Sequence, residues 1–260
     1  MKNFVKWLGI IAIVVVIGFS ITACQTDDND GGGNNGGGSA VIGAKLELSG
    51  QVYTSTFNQT NYSVTFPEYK GNLTIGDNNG GNATITGGKL SYTIETPNNL
   101  ETLEDLQDHI FYSYDNVTAS DSSAKGFILD FYKYDANTSY SLSKSNMSVN
   151  IGNTSGTATQ ESVSYVYVDK DVTITGKGET RTGRMDEDNP NSGTWTNKTN
   201  DFSLAMKKGW NAVYTKSVSS TTYPAGNPSA ATSSTGTETI SLNNPALKWV
   251  LGIWQDDNSY

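Results

Sequence analysis

A single cysteine, Cys24, and a single histidine, His109, stand among 260 residues. One thiol cannot pair within the chain, so there is no disulfide framework, and a cysteine-ligated metal site cannot be assembled. One imidazole excludes a multi-histidine metal centre. It also leaves any serine nucleophile with His109 as its sole possible base, and the sequence contains no G-x-S-x-G. Basic residues are scarce as well: 17 Lys and Arg against 26 Asp and Glu give a net charge of −9. A chain this acidic is repelled by phosphate backbones and anionic headgroups, which argues against a nucleic-acid partner.

Long apolar runs are also rare, and the clearest is at the start. Lys2 and Lys6 precede an uncharged stretch, Trp7 to Ile21, and Thr22 and Ala23 then lead into Cys24. As a helix those 15 residues would extend roughly 22 Å at about 1.5 Å per residue. Spanning a bilayer takes about 20 residues. A basic start, a short apolar core and small residues before a cysteine resemble the signal peptide and lipobox of a bacterial lipoprotein precursor. The resemblance implies cleavage between Ala23 and Cys24, removal of residues 1–23, and acylation of Cys24. It implies a membrane as partner through that lipid, and a place in the bacterial cell envelope, at the outer membrane or cell surface rather than the inner membrane. Two or more acyl chains would hold stably where one gives marginal binding.

Residues 24–40 then read as the lipidated cysteine and a tether. Gln25 to Ser39 carry six glycines and almost no apolar surface, too little to offset the entropy of ordering. Fifteen such residues reach roughly 20 Å, taking about 5–6 Å times the square root of length. Asp27, Asp28 and Asp30 fit an acidic spacer better than a metal cluster.

From Val41 the pattern turns to period two. Leu46 and Leu48, then Tyr62, Val64 and Phe66, then Leu73 and Ile75, then Leu90, Tyr92 and Ile94 alternate with polar residues. Phe127, Leu129 and Phe131 share one side of a later piece. The last hundred residues hold six more strand-like segments: Ser162–Val168, Asp171–Lys177, Phe202–Lys207, Asn211–Val218, Thr237–Leu242 and Leu247–Trp254. Half-buried antiparallel strands with short Gly-, Asn- or Pro-bearing loops give this signature. One helix is expected, over Asn98–Ile110, because Leu100, Leu103, Leu106 and Ile110 recur at helical spacing opposite Glu101, Glu104, Asp105 and Asp108. The expected fold is mainly β, with antiparallel sandwich-like units and that one short helix. Asn150–Gln160, rich in Gly, Ser and Thr, is the candidate boundary between residues 41–155 and 156–260; a long hairpin loop fits it equally.

Two segments, YVYVDKDVTITGKG from Tyr165 and FSLAMKKGWNAVY from Phe202, resemble segments of uncharacterised spirochaete lipoproteins of the Treponema kind. That group has no assigned activity, so the likeness implies no site residue.

Chemical sites are hard to find. Asp186, Asp188 and Asn189 look like half a calcium loop, but Pro190 takes the third alternate position and no closing glutamate follows. The acidic helix face and His109 are explained by solvation. A carboxylate pair could cleave glycosides without histidine, yet nothing singles out two of the 26 acids. Aromatic residues offer another chemistry. Trp195, Trp210, Trp249 and Trp254 could provide a platform for sugar rings or fill the core, and Trp195, in the polar run Gly193–Asp201, is the one expected to be exposed. The sequence therefore reads as a lipid-anchored, non-catalytic β-rich binding or envelope-structural module with a protein or glycan partner. No catalytic, cofactor-binding or metal-ligating residue is assigned. A glycan-binding module using exposed Trp and Tyr is the alternative, and a carboxylate-dependent glycoside hydrolase a further one.

Overall fold

Alternation of apolar and polar side chains becomes strand in most places where it occurs. The computed structural model describes residues 40–58, 62–104, 106, 111, 114–135, 138–185, 193–228 and 230–255. The chain begins with β1 (Val41–Gly43), β2 (Leu46–Thr54), β3 (Thr56–Asn58), β4 (Ser63–Thr65), β5 (Leu73–Asp77), β6 (Asn82–Thr86) and β7 (Lys89–Ile94). It continues through β8 (Glu101–Thr102), β9 (Asp115–Ala119), β10 (Lys125–Ile128), β11 (Phe131–Asp135), β12 (Thr138–Ile151), β13 (Ser155–Val168) and β14 (Val172–Lys177). It ends with β15 (Thr180–Arg184), β16 (Thr194–Thr199), β17 (Phe202–Met206), β18 (Gly209–Thr222), β19 (Ser233–Leu242) and β20 (Lys248–Gln255).

Period two does not say how strands close, and the pairing supplies the answer. The strands β11, β5, β6, β7, β2, β20 and β12 pair in that order, and β11 pairs again with β12. The ring is a closed seven-stranded barrel, which leaves those strands no free edge. Leu46, Leu48, Val52, Ile75, Ile85, Leu142 and Leu251 fill it, each at most 1% exposed. Between β6 and β7, Gly87 and Gly88 both take positive φ, +56° and +81°, the geometry of a two-residue hairpin turn that glycine adopts without strain. At the β5–β6 turn the Asp77 carboxylate accepts the Asn79 and Gly81 amides at 2.7 and 2.8 Å, and the buried Tyr92 hydroxyl donates to its other oxygen.

From β12 the sheet runs outward through β13, β18, β19, β16 and β15. The YVYV run of β13 has no polar side to offer water, and both its faces are covered. Tyr165 and Tyr167 join the barrel-side core with Trp210, whereas Val166 and Val168 join a second core. A separate three-stranded sheet, β17-β14-β9, covers that second core with Val172, Ile174, Phe202, Leu204 and Met206. This is the part of the molecule where two layers face one another.

Three expectations need correction. The helix expected over Asn98–Ile110 is not seen at its start: Glu101 and Thr102 are strand β8, paired with β10, and helical geometry among the described residues is confined to Leu103, Glu104 and Leu106. The physical reason is that the leucines serve two cores. Leu100 packs against the barrel-side cluster, while Leu103 and Leu106 sit in the second. Asp105, Asp108, His109 and Ile110 lie outside the described residues. Second, Asp115–Ala119, absent from the expected strands, is strand β9 against β14. Third, β15 and β16 form where no apolar alternation is visible. Asn150–Gln160 is the tip of the β12–β13 hairpin, paired from Lys144↔Val163 to Ile151↔Gly156. The closing strand, β20, lies between β2 and β12.

Three buried or half-buried tyrosines give the fold an alkaline limit. Burial, reinforced by Asp77 at Tyr92, by Glu238 at Tyr114 and by the hydrogen bond to Glu161 at Tyr214, raises each hydroxyl well above its ordinary value. A raised folded pKa gives stability that is complete below the unfolded value of about 10 and is lost as pH rises above it. Melting temperature is therefore expected to fall steadily above about pH 10, with Tyr92→Phe making that decline shallower. A flat profile up to pH 12 would contradict it.

Candidate binding groove

The face of β13 that presents Val166 and Val168 to the second core continues along the strand into Ser162, Gln160, Ala158 and Gly156. Large side chains give way to small ones, so the covering sheet ends and the floor is left open. Across the strands the same face carries Val149, Ala158, Ser219 and Gly236 in one row. Ile151, Gly156, Thr221 and Ser234 form the next. Toward the barrel, Ser141, Ser143 and Ser145 alternate on β12, beside Gly252 and Trp254 on β20.

Walls stand on both sides of this floor. The β3–β4 hairpin overhangs it with Phe57, Tyr62, Val64 and Phe66, and Tyr223 and Pro228 close the far side. The Lys248 ammonium lies 5.2 Å from the Phe66 ring centroid, a cation–π contact. The enclosed volume is about 510 Å³, within the ordinary range of about 300–1,000 Å³ for small-molecule sites.

The lining has a chemical peculiarity. Although the chain holds 26 acidic and 17 basic residues, none of the described lining residues is Asp, Glu, Lys, Arg or His. It consists of apolar side chains, aromatic rings, small hydroxyls and the amides Asn146 and Gln160. Charged groups pair elsewhere. Lys170, Lys207 and Lys177 hold Asp121, Asp171 and Asp201 in exposed ion pairs. Serine and backbone hydrogen bonds at Asp121, and lysine and backbone hydrogen bonds at the other two, keep all three carboxyls below their ordinary range. Among the described lining residues there is therefore no carboxylate, imidazole, ammonium or guanidinium group. Such a lining can bind a neutral molecule.

The residues singled out in the sequence fall in different places. Trp210 and Trp249 are core, 0% and 4% exposed, with their indole N–H groups donating to Glu95 O at 2.8 Å and Ser49 O at 3.1 Å. Trp195 is half-buried and donates to Arg184 O at 3.1 Å, so it is not the exposed tryptophan expected. Trp254 takes that place, 42% exposed on the groove. Ala23, Cys24, His109, Asp186, Asp188, Asn189 and Pro190 lie outside the described residues. Among the described residues no three His, Cys, Asp or Glu side chains cluster as metal ligands. No helix there is long and apolar enough to cross a membrane. Sequence reasoning missed the serines of β12 and the tyrosines of β11. Their signal, small or aromatic side chains at every second position, is also that of a solvent-facing strand side.

No protein family, curated protein or solved structure matches the chain.

Proposed function

We propose that the protein is a lipid-anchored, non-catalytic binding module of a bacterial cell envelope, and that the groove between the β3–β4 hairpin and the open sheet is its ligand site. One observation carries the reading: in a chain of net charge −9, the described lining is uncharged. An enzyme cleaving polar bonds needs a positioned acid, base or nucleophile at its substrate, whereas a binding site for a neutral ligand needs shape, apolar contact and a few hydrogen-bonding groups. The layer of β9, β14 and β17 on the open sheet is in this reading a sandwich-like support that holds the floor rigid.

Ala158 tests the site. It lies mid-floor between Val149 and Ser219, and Ala158→Trp would fill the groove from a position facing open space. Native mass spectrometry of the full chain purified from its own cells is expected to show a neutral adduct that Ala158→Trp lacks, at unchanged melting temperature. An adduct of equal occupancy in Ala158→Trp would contradict the assignment.

The anchor has its own test. Cys24→Ser is expected to abolish incorporation of a fatty-acid probe and leave the precursor uncut. A variant still labelled would refute the lipobox reading.

A further inference from the structure

We propose that the groove takes a neutral oligosaccharide, and that the sugar chain leaves it across β12 over Trp254 and the pair Tyr132 and Tyr134; the inference rests on the groove being a ligand site. Five large apolar side chains are prominently exposed among the described residues, and three of them, Tyr132, Tyr134 and Trp254, share one face at this corner of the barrel. Clustered exposed apolar surface marks a contact site, where scattered residues would not.

Register places the rings. Tyr132 pairs with Ser141, which pairs with Gly252; Tyr134 pairs with Ser139, which pairs with Trp254. Directly paired residues share a face, so the two tyrosines and the tryptophan stand on one side of three neighbouring strands, with serine hydroxyls between them. At about 4.8 Å between strands, Tyr134 and Trp254 are separated by roughly 10 Å. The two tyrosine rings are 5.7 Å apart centre to centre. The Trp254 indole lies over Gly252, where a Cβ would come within 2.6 Å of its ring. Glycine there lets the indole fold down toward the sheet as a stacking surface continuous with the groove.

The alternatives fit less well. An acyl chain would satisfy the aromatic walls but would take the floor hydroxyls and amides out of water without replacing it. An ionic ligand finds no countercharge among the described lining residues. A peptide adding itself as a strand needs a free backbone edge, and β20, β12, β13, β18 and β19 are each paired on both sides. A pyranose chain presents C–H faces to aromatic rings and hydroxyls to serine, asparagine and glutamine, and carries no charge.

The test is calorimetry on the full chain in nanodiscs, titrated with neutral hexasaccharides of β-glucan, α-glucan, xylan, mannan and chitin type. At least one is expected to bind, with Trp254→Ala and the double variant Tyr132→Ala/Tyr134→Ala each weakening it tenfold or more and Ala158→Trp abolishing it. Because the three rings are exposed, these variants should melt with the wild type. Binding by none of the hexasaccharides, or equal affinity in both aromatic variants, overturns the proposal. The failures are distinguishable. If Ala158→Trp still strips the native adduct while no sugar binds, the groove is a site for another neutral ligand; if Ala158→Trp changes nothing, the groove itself is misassigned.

Discussion

Truncation after Ala246 should abolish the cooperative melting of the barrel. The cut removes β20, whose Trp249, Val250 and Leu251 are 4%, 7% and 1% exposed. At about 1.5–3 kcal/mol for each buried large side chain, these three stabilise the fold by about 5–9 kcal/mol before entropy is counted. A whole domain is stable by only about 5–15 kcal/mol. The loss is also topological. β20 pairs with β12 from Thr138↔Gln255 to Ser145↔Lys248 and with β2 from Val52↔Trp249 to Thr54↔Leu251. Without it both neighbours become edges and the barrel opens. Strands of the N-terminal half should therefore unfold although the deletion lies at the other end of the chain. Circular dichroism at 218 nm against temperature reads this directly. A truncated chain melting with the intact one would show that β20 merely covers the barrel.

Trp210→Ala carries the second largest expected effect. Its side chain is 0% exposed and meets Phe127 and Tyr167 edge-on, with ring centroids 6.2 and 5.5 Å away. Replacing a buried tryptophan with alanine costs about 3–5 kcal/mol, the lost transfer term plus the cavity left behind. For a chain of this size 1 kcal/mol corresponds to about 2–4 °C, so a fall of about 6–20 °C is expected. Trp210→Phe, which keeps most of the volume, should fall by less than half as much. A change below 3 °C in the alanine variant would mean that the site collapses around the loss and that the barrel-side core does not depend on this ring.

Trp210 also shows how far the sequence could be read. Its place in an alternating run made it core or platform, and only packing decides between them. The strands of the barrel were legible because each buries one face: Leu46 and Leu48, or Leu90, Tyr92 and Ile94, must point the same way. β15 and β16 were not legible. They are held by backbone pairing to each other and to β19, and their Thr, Arg, Asn and Lys side chains bury little, so no apolar period marks them. The start of the expected helix, Asn98 to Thr102, misled for the opposite reason. Helical spacing was present, but the leucines part company between two cores, and strand pairing of β8 with β10 outweighed local propensity. The closure of seven strands into a barrel depends on β2 meeting β20 across the length of the chain, a contact no local pattern encodes. The groove was invisible for a related reason. Ser141, Ser143, Ala158 and Ser219 are unremarkable on a strand and become a floor only when five strands line up and a distant hairpin overhangs them.

The central claim is that this floor holds a neutral ligand, and a crystal structure of the full chain purified from its native envelope, without added ligand, tests it most directly. The account predicts continuous density for an uncharged molecule above Ala158 and Ser143, beneath Phe57 and Phe66 and reaching Trp254. Density for a bound molecule at another surface, with the groove holding ordered water alone, would contradict it.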